Sequence, residues 1–462
     1  LRATSWFSAH VTFICSLSEA AAGLIGRFSM VDKTLSLAVV RSRCFMQGQW
    51  PAPLSALRKI TFWLLLGWVG SGQQVANGAD NVVLITLDGL RWQELFRGLD
   101  IRLASDDSYS KQQSELMRQF WDDDPAARAR LLFPFLHGNV FEQGSVIGNR
   151  DLGSCARVAN PWYFSYPGYS EILTGVVNET INSNRKIPNP ERTVHELLEG
   201  IDGFAGRTAA FASWDVFPFI FNIERSGVYV NAFEPLIAPE GMKEISLNQL
   251  HSDIPPPWPT VRNDAFTHHF ALSYLRREQP RLLFIGYGET DDFAHDGKYD
   301  EYLFAANRTD RFIEEVWQTL QSIPEYRDNT ALVITVDHGR GEEPVETWLH
   351  HASKQSLDGY MSSLSRFTEG IIGSEDTWVA AIGPGVAGKG LIVTEEQCSF
   401  SSQVAATIVE LLGLDPQALN PEMAPPLSEV LDQLHAGCAG QSCLERMCLL
   451  LRTTPVKLRY VS

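Results

Sequence analysis

Along the chain, apolar residues come in short, nearly continuous runs that each break off at Gly, Asp or Ser. Five such runs stand out: NVVLITLDG (81–89), RTAAFASWD (207–215), RLLFIGYGETD (281–291), ALVITVDHG (331–339) and TWVAAIGPG (377–385). Runs without polar alternation suit strands buried on both faces, which predicts a parallel sheet. Between them the apolar spacing changes to three and four. This predicts helices over 194–201 (after the N-cap Thr193), 264–278, 302–323 and 401–414. Strands alternating with helices predict an α/β, doubly wound, mostly parallel sheet with helices on both faces. Residues 97–150 and 220–262 break this rhythm and are read as cap insertions. SDIPPPWP (252–259) reads as a rigid surface connector, and PGYS (167–170) as a turn opening a helix.

The ends of the chain follow a different logic. Residues 1–79 are read as an over-extended start plus an export signal at about 46–79. Arg58 and Lys59 precede the apolar ITFWLLLGWVGSG (60–72), and Ala76 or Ala79 offers a small-residue exit. The apolar run falls short of the roughly 20 residues that a membrane-spanning helix needs, so no stable span is expected. The enzyme-like domain is placed at 80–430, with 431–462 as a C-terminal tail. Export is the expected destination, periplasmic or extracellular.

Composition changes this picture little: 44% hydrophobic and 20% charged residues are ordinary for a globular protein. Charge changes it more. The net charge is −17, and the seven basic and two acidic residues within 1–79 leave the remainder at −22. Such a surface repels duplex nucleic acid, though a bound cation can still attract a small anionic substrate. Of seven cysteines, Cys155 and Cys398 can form a bridge once exported. The Cys438, Cys443 and Cys448 spacing lacks the histidine of a zinc finger.

The chemistry gathers where the strands end. Asp88, Asp291 and Asp337 each close an apolar run, and in an open α/β sheet the ligand site lies beyond the carboxyl ends of the strands. Imidazoles accompany them: His295 four residues after Asp291, His338 directly after Asp337, and the pair His350-His351 in WLHHASK. Carboxylates packed together repel one another unless a cation intervenes, and this ligand set suits zinc or manganese. Ser170, in FSYPGYSEILTG (164–175), is the candidate nucleophile at a helix N-terminus, with Tyr169 and Thr174 as alternative hydroxyls. Arg340 and Arg157 are candidates for contacting a substrate oxygen.

From about Asn81 to Leu427 the chain resembles the alkaline phosphatase superfamily of phosphodiesterases, sulfatases and phosphoglycerate- or phosphopentomutases. The resemblance rests on LITLDG, PGYSEILTG, GETDDFAH, VDHGRG and the later histidine, in that order. It implies two divalent metal ions, zinc or manganese. Asp88, Asp337, His338 and the nucleophile Ser170 would hold one; Asp291, His295 and His351 would hold the other. The D-x-x-x-H spacing selects Asp291 over its neighbour Asp292, and the position after Trp348 favours His351 over His350. The C-x-P-x-R segment of sulfatases is absent. The implied activity is hydrolysis of small phosphate esters through a phosphoseryl intermediate. The alternatives are a mutase-like phosphotransferase, a sulfatase-like hydrolase or a non-catalytic ligand-binding relative.

Overall fold

The apolar runs become strands whose alternate side chains serve two different cores. A computed structural model describes residues 78–394 and 397–432, so the signal segment, most of the C-terminal tail and the other five cysteines lie outside the described residues. The central sheet has eight strands: β1 (Asn81–Leu87), β2 (Ser145–Ile147), β3 (Thr208–Ala212), β4 (Tyr229–Ala232), β5 (Leu282–Tyr287), β6 (Thr330–Thr335), β7 (Val379–Ile382) and β8 (Gly390–Leu391). Their spatial order is β8-β2-β7-β6-β1-β5-β3-β4. Strands β6, β1, β5, β3 and β4 run parallel. The prediction of a parallel partner fails for 377–385, because β7 pairs antiparallel with both β6 and β2. Its apolar run reflects burial on both faces, which constrains environment and not direction.

The principal helices are α1 (Ser165–Thr174), α2 (Val194–Glu199), α3 (Gly241–Asp253), α4 (Asp264–Glu278), α5 (Glu289–His295), α6 (Tyr299–Ser322) and α7 (Gln403–Leu411). Val83, Ile85 and Leu87 of β1 join Leu283 and Ile285 of β5 and pack with Phe270 of α4 and Leu303 of α6. Val82 and Leu84 point the other way, with Phe284 and Val333, onto Ile172 of α1 and Val404 of α7. Each such side chain, fully buried, contributes about 1.5–3 kcal/mol from removal of apolar surface. The two-layer covering follows from strand geometry: successive side chains leave opposite faces, so an unbroken apolar strand needs helices on both sides. The fold is α/β and doubly wound.

The two irregular regions differ in content. Residues 97–150 carry short helices and strand β2, which joins the central sheet. Both carboxylate oxygens of Asp310 in α6 accept backbone N–H groups from Phe135 and Leu136, at 2.8 and 2.9 Å. Residues 220–262 include β4 and α3. The expected surface connector ends in a buried Trp258 that meets the Phe293 ring at 4.7 Å between centroids. Its indole N–H donates to Asp296 at 3.3 Å. A small second sheet joins Ser399–Phe400, Ala156–Arg157 and Asp376–Thr377. Beside it, Cys155 and Cys398 form a disulfide.

Candidate metal centre

Parallel register brings the acids together. Thr86 of β1 lies level with Gly286 of β5 and Thr335 of β6, so the residues just beyond share one sheet edge. There β1 delivers Asp88, β6 delivers Asp337 and His338, and β5 leads into α5 with Asp291 in its first turn. His295 stands one helical turn after Asp291, its Nε2 3.2 Å from Asp291 Oδ2. The close approach constrains the backbone as well. A Cβ on Gly89, at φ +59°, would come within 2.7 Å of Asp291 Oδ1 and 3.2 Å of His338 Cε1. The Gly89 N–H donates to Asp337 Oδ1 at 3.1 Å.

Two groups of donor atoms result, sharing Asp291. In the first, His338 Nε2 is 3.3 Å from Asp337 Oδ2, 3.5 Å from Asp88 Oδ1 and 3.9 Å from Asp291 Oδ1. His338 Nδ1 lies 3.0 Å from the Gly339 carbonyl. That contact assigns the ring proton to Nδ1 and leaves the Nε2 lone pair facing the acids. In the second, His351 Nε2 approaches His295 Nε2 at 3.0 Å and Asp291 Oδ1 at 3.6 Å. His350 points elsewhere, toward the Phe367 ring at 5.8 Å.

The electrostatics of these buried groups fit cations. Asp88 Oδ1 and Asp337 Oδ2 are buried without a hydrogen-bond donor, although buried carboxylate oxygens normally have one. Burial, then the charge of Asp337, pushes the Asp88 carboxyl well above its usual range. Burial and the Asp291 charge push Asp337 up to about 8, and the same two causes push Asp292 to about 8. Burial opposes ionisation of Asp291 too, but Arg340 and then His295 outweigh it and hold this carboxyl well below its usual range. Burial lowers His338 to about 4 and carries His351 well down, so both imidazoles present neutral lone pairs. Carboxylates that resist ionisation, neutral imidazoles and donorless oxygens make a ligand set for divalent metal.

The serine hydroxyl beside this set belongs to Ser165. Its Oγ lies 3.3 Å from His338 Nε2, and Ser165 is the first residue of α1. Ser170 is not brought to the cluster. It sits in the middle of α1, buried, accepting the Asn189 side-chain N–H at 3.1 Å. The expectation fails because Pro167-Gly168 is not a turn. Pro167 occupies the first helical turn, where a missing N–H costs nothing, so α1 starts five residues before Ser170. Gly168 allows the helix to press on the strand end: a Cβ there would lie 3.0 Å from the carbonyl carbon of Asp337. Of the alternative hydroxyls, Tyr169 donates to Asp88 Oδ2 at 2.9 Å and Thr174 bonds back to the Ser170 carbonyl at 2.7 Å. Neither candidate arginine is a free surface cation. Arg340 is buried against Asp291, and Arg157 faces Asp376 at 3.7 Å.

The stretches LITLDG, the α1 segment, GETDDFAH, VDHGRG and the later histidine thus converge at one end of a doubly wound sheet. No family model matches the chain, and no curated protein does. Among solved structures, a 2-O GAG sulfatase is similar at 13% identity and TM-score 0.47, over 76% of this chain and 74% of that one. A phosphonate monoester hydrolase from Silicibacter pomeroyi gives 14%, 0.43, 75% and 76%. A protein in the alkaline phosphatase superfamily from Vibrio parahaemolyticus gives 11%, 0.42, 78% and 73%. Likeness at this level concerns the path of the chain and leaves the substrate open.

Sequence reasoning missed Ser165, took Gly168 for part of a turn and named Tyr169 only as an alternative hydroxyl. The signal available was Pro167, since a proline three places into an amphipathic run marks a first turn as readily as a loop.

Proposed function

We propose that the protein is an exported two-metal hydrolase of small phosphate esters that works through a covalent phosphoseryl intermediate on Ser165. The observation that carries this reading is the Ser165 hydroxyl, 3.3 Å from His338 Nε2 at the edge of the carboxylate–imidazole cluster. Asp88, Asp337, His338 and Ser165 would hold one ion, and Asp291, His295 and His351 the other. Bound divalent ions supply Lewis acidity that lowers the pKa of a hydroxyl or water and offsets charge on the transferring group.

The chain's own groups do the rest. The N-terminal end of the ten-residue α1 favours negative charge on the Ser165 oxygen and on an adjacent phosphoryl oxygen. Asn184 Oδ1 accepts the Tyr166 N–H at 2.9 Å, which ties the following loop to that first turn. The Ser165 oxygen forms a bond to phosphorus as the bond to the leaving oxygen breaks. Water then attacks phosphorus, and the serine oxygen leaves. His338 keeps a fixed tautomer throughout, held by the Gly339 carbonyl.

The two cysteines among the described residues are bonded to each other, so neither is a free thiol that could be converted to formylglycine. That disulfide also favours an oxidising compartment, in line with the export signal read at 46–79.

The test compares wild type, Ser165→Ala and Ser170→Ala on 4-nitrophenyl phosphate, bis(4-nitrophenyl) phosphate and 4-nitrophenyl sulfate, with zinc or manganese. Phosphoester turnover should fall by roughly 10³-fold or more in Ser165→Ala and stay near wild type in Ser170→Ala. Full activity in Ser165→Ala would remove the hydroxyl from the reaction.

A further inference from the structure

We infer that Arg340 is a positioning residue that assembles the half of the centre built on Asp291, His295 and His351. The inference rests on the two-metal reading above and assigns this one side chain a task within it. Arg340 follows Asp337-His338-Gly339 directly, where the chain is tightly confined: a Cβ on Gly339 would strike the Gly373 and Asp376 carbonyls. The side chain is therefore turned back into the protein and is buried. Its Nη2 donates to the Asp291 main-chain carbonyl at 3.0 Å and also to Asp291 Oδ1. Its Nη1 donates to the Trp348 carbonyl at 3.2 Å, three residues before His351.

One guanidinium thus grips two segments that lie far apart in sequence. One is α5, which carries Asp291 and His295; the other is the turn leading to His351. The grip depends on the planar fork. An ammonium carries the same charge, but it is a compact point donor and does not reproduce the fixed set of directions toward a carboxylate and two carbonyls. Apart from the shared Asp291, no donor of the other group hydrogen-bonds to Arg340. Asp88 is held by Tyr169, Asp337 by the Gly89 N–H and His338 by the Gly339 carbonyl.

The experiment uses the full chain, stripped with a chelator and titrated with zinc alone by calorimetry, with bound metal counted after dialysis. Wild type should take up two ions. Arg340→Lys and Arg340→Met should keep one near wild-type affinity and weaken the other by roughly 10–100-fold, the usual consequence of losing a group that orients a ligand. Where Arg340→Met fails to fold, by circular dichroism, Arg340→Lys decides. Two ions bound with wild-type affinities in the folded variants would overturn the inference and leave the two-metal reading intact. Equal weakening of both ions would also overturn it, since that is what general loosening of the fold would produce. Fewer than two ions on wild type would overturn the two-metal reading and this inference with it.

Discussion

Gly168→Ala isolates the contact between helix α1 and the end of β6. The added methyl would lie 3.0 Å from the carbonyl carbon and 3.2 Å from the Cβ of Asp337, and nearer still to its oxygen. Both sides of this contact are backbone or the first side-chain atom, so no flexible tip can swing away. Forced overpacking of this kind costs about 1–3 kcal/mol, against a gain of about 0.5–1 kcal/mol from replacing a helical glycine. Gly138 provides the internal control: it lies in the π-helical turn Leu136–Val140, and nothing falls within 4 Å of an added Cβ. Gly138→Ala should stabilise by that smaller amount. With about 350 described residues at about 2 cal/mol/K each, unfolding entropy is about 0.7 kcal/mol/K, so the net of the two effects should lower the Tm of Gly168→Ala by up to about 3.5 °C. Relief must also shift Asp337 against α1, the helix that carries Ser165, so zinc affinity should fall by about tenfold or more. The assays are thermal melts of the metal-free chain and zinc calorimetry on the two variants in parallel. If Gly168→Ala melts at or above wild type and binds zinc as tightly, α1 does not press on the strand end, and the account of Pro167-Gly168 is wrong.

The two adjacent histidines should separate cleanly. His351→Ala should lose one zinc ion per chain and most phosphoester turnover, while His350→Ala should retain both within a few-fold; equal losses in both would contradict the contact of His351 Nε2 with His295 and Asp291. On the opposite core, burial lowers His195 to about 3 from 6.5, and neither of its ring nitrogens has a partner. The unfolded chain therefore binds the extra proton between those values. Stability should fall as pH drops from 6.5 toward 3, by up to about 1.4 kcal/mol per pH unit for this one group. Urea unfolding of His195→Leu at pH 7, 5.5 and 4.5 should show a shallower decline than wild type, and parallel slopes would refute it.

Much of this architecture was readable beforehand because it rests on burial and spacing. The unbroken apolar runs marked both the strands and their two-sided covering, and the helix over 264–278 appears with the same bounds. Asp88, Asp291, Asp337, His295 and His338 could be placed on one edge because parallel strands leave their next residues side by side. What escaped depends on details of backbone path. Pro167 serves a first turn and a loop equally well, so the start of α1, and with it Ser165, was displaced by five residues. The direction of β7 is set by its connections and not by its apolar content. The grip of Arg340 on Asp291 and Trp348 spans 49 and 8 residues, and no local pattern signals a contact of that kind.

The disulfide has an effect on timing. Cys155 lies ten residues ahead of Ser165, and Cys398 just ahead of α7, the helix beside α1 in the core. Closing it tethers the approach to the proposed nucleophile to a segment 243 residues away. Asp88, Asp291, Asp337 and His338 have no such covalent tie and are held by the sheet and by the side chains packed on it. Chains made where thiols stay reduced should thus gain this tie only after oxidation, late in maturation.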